Sequence, residues 1–245
     1  MLQPHPSPRP FLVLGLVCAL FLAACGQAAS RAHVQPASAS NAIPQLAGPA
    51  LGSYAALGAS ETFGIGATSP ARSYAHLVAK MLGAKRFVDV GIPGTTLAQG
   101  YDTELSGALA ARPVLCTVFF GVNDLRAGVP LKRFLSDLYS LVVTLRRAHV
   151  RVLIIGMPDL SSLPVVRRVH IVGVAAVVHA WNAGMARVAR RAGARFLDLQ
   201  SFTRELAAHP NYVAPDGLHP SNAGHQRLAQ VVVAAIRRDG LWRRP

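Results

Sequence analysis

Five residues along this 245-residue chain are of the types that acyl-transfer chemistry uses. Ser60 can act as a nucleophile, His219 as the base that takes its proton, and Asp216 as the carboxylate that orients the imidazole. Asp216 precedes His219 by three residues, so one turn of chain can join the two side chains. The backbone N–H groups of Ser60 and Gly94 and the side-chain amide of Asn123 can stabilise an oxyanion. Together these residues predict transfer of an acyl group to water through an acyl-enzyme.

Short apolar runs alternate with longer helical patterns from residue 54 to residue 238. The predicted strands are Tyr54–Leu57, Phe87–Val90, Val114–Phe120, Val150–Ile155 and Arg195–Leu199. The predicted helices lie near 70–82, 102–111, 130–148, 166–192 and 221–238, with a short helical stretch after the fifth strand. Such alternation predicts an α/β fold, in which a parallel sheet of about five strands is covered by helices on both faces.

The candidate residues stand in loops that follow the predicted strands. The glycine-bearing loops are Gly58–Glu61, Gly91–Thr96 and Gly121–Asp124, and the Asp216–Pro220 loop follows the last strand after a short helix. In open parallel sheets the site lies outside the carboxyl ends of the strands, where the strand order reverses. If the strand order is 2-1-3-4-5, the first three loops are neighbours. We therefore expect the serine, the glycine amides, the asparagine and the Asp/His pair to converge.

Four sequence blocks, taken in order, resemble those of the SGNH (GDSL-type) hydrolase family. They are ALGASETFGIGA around Ser60, VDVGIPGTTL around Gly94, FFGVNDL around Asn123, and DGLHPSNAGH around Asp216 and His219. The resemblance covers most of 53–238. It implies a flavodoxin-like α/β/α sandwich and an esterase, lipase or lysophospholipase that needs no cofactor or metal. Ser60, Asp216 and His219 would be catalytic, with Ser60, Gly94 and Asn123 as the oxyanion hole, and the substrate would be a small-molecule, lipid or glycan ester.

The sequence departs from the family pattern at two positions. The first block usually reads Gly-Asp-Ser, and here Ala59 replaces the aspartate. The second block often begins with Asn, and here Asp89 stands near that place. Neither change removes a catalytic group, but the loss of the aspartate alters the hydrogen bonding expected in the nucleophile loop. The first block is also not the G-x-S-x-G turn of α/β-hydrolases, because Thr62 stands where the second glycine would be.

The N-terminal segment has the pattern of an export signal. Residues 11–24 are an apolar run that is too short to span a bilayer comfortably. The run ends in Leu-Ala-Ala-Cys, which resembles the bacterial lipobox, so we predict a signal peptide over 1–24 and lipid attachment at Cys25. Residues 25–50 are predicted to be a flexible tether and 51–245 a hydrolase domain in the bacterial cell envelope. An ordinary signal peptide and an uncleaved anchor are the alternatives.

The chain carries 25 Lys+Arg against 11 Asp+Glu, a formal net charge of +14, and 51% of its residues are hydrophobic. This hydrophobic content excludes a disordered chain. The arginines stand in scattered pairs, with no run of five like charges. A solvated, arginine-rich surface and attraction to an anionic membrane both fit this pattern. A nucleic-acid partner is disfavoured by export and by the scatter.

Other interpretations of the same residues stay open. An alcohol could intercept the acyl-enzyme, which would make the protein an O-acyltransferase, or the protein could be a catalytically silent envelope binder. A metal site is not expected, because His225 has no matched ligands, and the Walker A pattern is absent. By their positions, the segment 156–164 after the fourth predicted strand, which includes Met157, and Phe63 just after the nucleophile are expected to line the acyl pocket. The oligomeric state is left open.

Overall fold

The computed structural model describes residues 51–242, so the predictions for 1–24, Cys25 and the tether fall outside the described residues. The strands are β1 (Ser53–Gly58), β2 (Arg86–Asp89), β3 (Leu115–Phe119), β4 (Arg151–Ile155) and β5 (Arg195–Leu197). The first helices are α1 (Ser60–Phe63), α2 (Tyr74–Leu82), α3 (Leu97–Thr103), α4 (Leu105–Ala110) and α5 (Val122–Arg126). The later helices are α6 (Leu131–Arg147), α7 (Pro164–Arg168), α8 (Val174–Arg191), α9 (Gln200–Ala208) and α10 (Asn222–Arg238).

The five strands form one sheet in the order β2-β1-β3-β4-β5, and every neighbouring pair is parallel. This confirms the predicted order 2-1-3-4-5. The central strands β1 and β3 are buried along their whole length, which explains their nearly continuous apolar sequences. Each edge strand begins with an exposed arginine, Arg86 in β2 and Arg195 in β5.

Helices cover both faces of the sheet, which confirms the three-layer α/β/α sandwich. On one face α2 packs against α10. On the other face α6 packs against α3 and α8. The rings of Phe134 and Trp181 meet between α6 and α8 with their centroids 4.7 Å apart. The apolar faces of these helices and the sheet form one core within the described residues.

The helix predicted over 166–192 is two helices in the structure. Helix α7 ends at Arg168 and α8 begins at Val174. Between them the backbone of His170 has φ 50° and that of Gly173 has φ 86°. Both values lie in the left-handed region, which a continuous right-handed helix cannot contain. The apolar periodicity runs through the break because both pieces pack on the same core.

Two other predicted helical ranges also contain two separate elements each. The pattern over 70–82 is a 3₁₀ turn, Pro70–Arg72, followed by α2, whose N-cap Ser73 accepts from the N–H of His76. The pattern over 102–111 covers the end of α3 and all of α4. Among residues 51–242, no helix is both long enough and apolar enough to cross a membrane.

Candidate active site

Three of the predicted site residues lie at the carboxyl edge of the sheet. Ser60 is the first residue of α1, directly after β1. Gly94 lies in the loop after β2, and Asn123 lies in α5, directly after β3. Because β1 lies between β2 and β3, these loops are neighbours. The N–H of Ile92 in the second loop donates to the carbonyl of Gly58 at 3.1 Å, which ties that loop to the end of β1.

Two adjacent side chains of α5 hold the second and third loops together. The amide nitrogen of Asn123 donates to the carbonyl oxygen of Thr95 at 3.0 Å. The carboxylate of Asp124 accepts from the N–H of Leu97, the first residue of α3, at 3.0 and 3.1 Å. Burial raises the pKa of Asp124 to about 6, although the hydrogen bond from Leu97 acts in the opposite direction. These bonds fix the position of Asn123 relative to the Gly94 loop.

The same loops leave hydrogen-bond donors for an incoming group. Gly94 is exposed with φ 84°, and no atom lies within 4 Å of the position that a Cβ would occupy. Its side is therefore open to an approaching oxygen. The Asn123 amide has two N–H donors, and Thr95 uses one of them. The N–H of Ser60 lies at the start of a helix, where it has no partner within the helix.

Asp216 and His219 form a hydrogen-bonded pair. Asp216 Oδ2 and His219 Nδ1 are 2.6 Å apart. A carboxylate only accepts, so Nδ1 carries the proton and Nε2 is free to accept one. Burial acts to raise the pKa of Asp216, but hydrogen bonds from the His219 imidazole and from the N–H groups of Leu218 and His219 hold it below its ordinary value.

The histidine loop packs directly against the loop that follows Ser60. A Cβ at Gly66 would collide with the carbonyl of Pro220 and lie 3.2 Å from Cβ of His219. The N–H of Thr68 donates to Asn222 Oδ1 at 2.9 Å. These contacts span 154 residues of chain and set the distance between the nucleophile loop and the imidazole.

His225 strengthens the same junction. It is completely buried, its Nδ1 accepts from the N–H of Tyr74 at 3.1 Å, and its Nε2 donates to the carbonyl of Ile65 at 3.0 Å. Burial lowers its pKa, which favours the neutral ring that this arrangement needs. Both nitrogens are therefore occupied by backbone groups, and His225 holds helix α10 against the nucleophile loop.

The structure does not join Ser60 to His219 by a hydrogen bond. Among the described residues the partner of the Ser60 hydroxyl is Glu61, whose Oε2 lies 3.3 Å away. This bond is long for one between a hydroxyl and a carboxylate, so it holds the side chain weakly.

A small apolar cleft of about 30 Å³ lies beside His219. Glu61 and His219 belong to its lining, and its other walls are apolar side chains of the 158–163 segment and of α9. These apolar residues include Pro158, Leu160, Leu163, Phe202 and Leu206. The segment after β4 therefore lines the cleft as its position predicts.

Two residues expected in the acyl pocket do not line this cleft. The side chain of Phe63 is 51% exposed. Met157 is buried and faces a separate groove, where its N–H bonds to the side chain of Asn182 at 3.0 Å. The turn of chain after β4 places Leu160 and Leu163, rather than Met157, at the cleft.

The sequence analysis missed Glu104, which joins α3 to α4. It is 1% exposed, and its Oε2 accepts from the N–H of Gly58 at 2.9 Å, two residues before Ser60. Its Oε1 accepts from the Thr95 hydroxyl at 3.2 Å. One carboxyl group thus bridges the first and second loops, in a region where Ala59 supplies no polar group. Burial raises the pKa of Glu104 to about 7, although the two donors act against this shift.

The chain is similar to known proteins in its sequence pattern and in its fold. The profile of the GDSL-like lipase/acylhydrolase family matches residues 56–227. Among curated proteins, none matches this chain significantly. Several solved structures share the fold of this chain at sequence identities of 16–22%.

Three of these structures have nearly the same TM-score. TesA is 21% identical with a TM-score of 0.63, and the match covers 76% of this chain and 98% of TesA. LAE5, an alpha/beta hydrolase enzyme from the metagenome of Lake Arreo, is 22% identical (TM-score 0.62, coverage 78% and 96%). Axe2, an acetylxylan esterase from Geobacillus stearothermophilus, is 20% identical (TM-score 0.62, coverage 77% and 95%).

The raised pKa of Glu104 predicts how stability changes with pH. The folded protein holds this proton more tightly than the unfolded chain, whose carboxyl has its ordinary value near 4.5. Stability from this group is therefore full below about pH 4.5 and is lost as pH rises towards about 7. Glu104→Gln removes this loss, so the free energy of unfolding of the wild type should fall by on the order of 2–3 kcal/mol more than that of the variant. Urea unfolding of both proteins from pH 5 to 7.5 measures the difference.

Glu104→Ala is the matched control, because it leaves the Gly58 N–H without its acceptor. We expect it to be less stable than Glu104→Gln at every pH in this range. Curves for wild type and Glu104→Gln that run parallel from pH 5 to 7.5 would contradict the assignment.

Proposed function

The chain belongs to the GDSL-like lipase/acylhydrolase family and is a serine hydrolase acting on esters, and we propose that Ser60, His219 and Asp216 are its catalytic triad. The observation that carries this proposal is the Asp216–His219 pair at 2.6 Å, on a loop packed against the Ser60 loop. Alanine substitutions of a serine and of a histidine give catalytic mutants of the acetylxylan esterase Axe2. Those variants support the same pair of residue types here.

The proposed reaction begins with rotation of the Ser60 hydroxyl from Glu61 to Nε2 of His219. Oγ attacks the ester carbonyl carbon while its proton passes to Nε2, and Asp216 stabilises the imidazolium that forms. The negative oxygen of the tetrahedral intermediate accepts from the N–H groups of Ser60 and Gly94 and from the Asn123 amide. The carbon–oxygen bond to the alcohol then breaks, and His219 gives the proton to the departing alcohol.

Deacylation repeats these steps with water. Nε2 of His219 takes a proton from the water as its oxygen attacks the acyl carbon. The second tetrahedral intermediate uses the same three donors. When it collapses, the bond to Ser60 Oγ breaks and the proton returns to Oγ. The products are the carboxylic acid and free enzyme.

Substitution of the triad and of one oxyanion donor tests this assignment. Ser60→Ala and His219→Ala should each lower kcat on p-nitrophenyl acetate by roughly 10⁴-fold or more. Asn123→Ala should lower kcat by about 10²–10³-fold, because one donor to the developing oxyanion is lost. Ser69→Ala, an exposed serine on the same loop, is the control and should keep wild-type activity. A folded His219→Ala protein with near-complete activity would refute the triad.

We further propose that the apolar cleft receives the acyl part of the ester. Its walls are apolar, and His219 lies in its lining, so an acyl carbonyl at the imidazole directs its chain between these walls. Leu206 and Phe202 of α9 lie on these walls. Its volume of about 30 Å³ has room for one or two water-sized groups, so it favours short acyl chains. Each further methylene changes this preference by about 1–3 kcal/mol.

Chain-length profiles test the cleft. Leu206→Ala enlarges it, so kcat/KM for p-nitrophenyl octanoate relative to acetate should rise by about tenfold. Leu77→Ala, which removes a partly buried leucine from α2 outside the cleft, is the control and should leave this ratio unchanged. An identical profile for Leu206→Ala and wild type would place the acyl chain elsewhere.

An added alcohol acceptor in the same assay separates hydrolysis from acyl transfer by the products formed.

We also propose that the protein is held at a membrane of the bacterial envelope by lipid attached to Cys25. The support is the sequence pattern alone: an apolar run over 11–24 that ends in small residues and a cysteine. More than one acyl chain on a terminus gives firm attachment.

Metabolic labelling with an alkyne fatty acid tests the anchor. The wild-type chain should incorporate the label and sediment with membranes. The mature form of Cys25→Ala should neither incorporate the label nor sediment with membranes. Cys18→Ala is the matched control, since Cys18 lies in the segment predicted to be removed, and it should be labelled like the wild type. Equal labelling of Cys25→Ala would overturn the proposal.

A further inference from the structure

Acidic and basic residues of the domain differ in their distribution between the side of the sheet where the strands end, the carboxyl edge, and the side where they begin, the amino edge. The long helices start near the carboxyl edge, where the candidate site lies, and end at the amino edge, where the strands begin. Three long helices end there in exposed arginine pairs. The pairs are Arg146–Arg147 in α6, Arg190–Arg191 in α8 and Arg237–Arg238 in α10. The position of the third pair is fixed by Arg237, which bonds to the carbonyl of Met81 near the end of α2 at 3.2 Å.

Further cations lie at the starts of the strands and in the loops before them. They are Lys85, Arg86, Arg112, Arg151 and Arg195. Of the 11 acidic residues in the chain, Asp239 is the one at this edge among the described residues, and it pairs with Arg238 at 2.9 Å. The other carboxylates lie towards the carboxyl edge or along the helices. We call this surface the cationic edge.

Helix electrostatics explains part of this pattern but not all of it. A helix C-terminus favours a nearby cation, which accounts for the three arginine pairs. Arg86 and Arg195, which begin β2 and β5, lie beyond the helix ends. The exposed Lys85, Arg86, Arg112 and Arg195 make no ion pair within the described residues. So many like charges on one face repel each other and create a positive field over it. A surface of this sign fits an extended anionic partner.

The place where the N-terminal segment joins the domain indicates which anionic partner this surface binds. Strand β1 begins at Ser53 on the cationic edge, and the preceding Leu51 is 81% exposed. The segment that links the domain to Cys25 therefore joins it at this edge. If Cys25 is acylated, a tether of this length holds the cationic edge within roughly 25–30 Å of the lipid.

We propose that the cationic edge docks on anionic phospholipid headgroups of the membrane that holds the chain, so that the active-site edge faces away from that membrane. This inference rests on the proposed anchoring at Cys25. It narrows the substrate class, because an ester reaching the cleft then comes from the side opposite the bilayer. Lipids of the anchoring leaflet are not presented to His219 in this orientation.

Vesicle binding by the domain 51–245 tests the docking separately from the anchor. This part is suited to the test because the sheet, both helix layers and their core lie within 51–242, and the matched region accounts for 98% of the whole TesA chain. The edge variant is Arg86→Gln, Arg147→Gln, Arg190→Gln and Arg195→Gln. The control variant, with the same change of charge, is Arg72→Gln, Lys132→Gln, Arg167→Gln and Arg204→Gln.

Wild type and control should sediment with phosphatidylglycerol–phosphatidylcholine vesicles at about 50 mM salt and not with phosphatidylcholine alone. The edge variant should bind on the order of a thousandfold more weakly, since it lacks four cations and each cation near such a surface contributes about 1 kcal/mol. Turnover of p-nitrophenyl acetate should be equal in all three proteins. Absence of turnover with normal vesicle binding would overturn the esterase, whereas equal vesicle binding by both variants would overturn the docking.

Arginine modification by phenylglyoxal reports the orientation on the same vesicles. Arg147 and Arg190 should be protected by bound vesicles, while Arg72 and Arg167 should react as they do in solution. Protection of Arg167 instead would place the active-site edge on the lipid and overturn the proposal. Binding to duplex DNA that is tighter than binding to the anionic vesicles at the same salt would also overturn it, in favour of a nucleic-acid surface.

Discussion

All five strands of this domain run in the same direction. This constraint determines which residues meet at each end of the sheet. Every loop that follows a strand meets the others at the carboxyl edge, so Ser60, Gly94 and Asn123 are neighbours although 63 positions of chain separate the first from the last. The long helices α6, α8 and α10 return along the sheet and end at the opposite edge. There the ordinary preference of helix ends for cations brings arginines from α6, α8 and α10 to one face. The chemistry and the charge of the domain are thus separated by its topology.

Buried polar groups between the loops turn this proximity into a defined geometry. Asn123 and Asp124 fix the second loop to the third, Glu104 fixes the first to the second, and His225 fixes the first to the last helix. Glu104, Asp124 and His225 are buried, Asn123 is partly buried, and each of the four bonds a backbone N–H or carbonyl of a neighbouring segment. Burial also raises the pKa of Glu104 to about 7 and that of Asp124 to about 6, so these two carboxyl groups change protonation close to neutral pH.

The sequence predicts the strands, their order and the four motif loops, because these are local patterns and a general rule of topology. It does not predict Glu104, since the Gly58 N–H that this carboxylate meets lies 46 positions away and the surrounding helix carries no motif. It merges α7 and α8 because apolar periodicity persists across the turn at Gly173. It misplaces the acyl pocket for a similar reason. Position after a strand selects the segment that holds Leu160 and Leu163, but not which of its side chains point into the cleft.

Covalent trapping with an inhibitor identifies the nucleophile without a substrate. The domain 51–245 would be treated with a fluorophosphonate, and the modified peptide would be identified by mass spectrometry. We expect a single adduct on Ser60, formed slowly or not at all when His219 is replaced by alanine. An adduct on another residue, or a folded protein that stays unmodified, would contradict the assignment of Ser60 as the nucleophile.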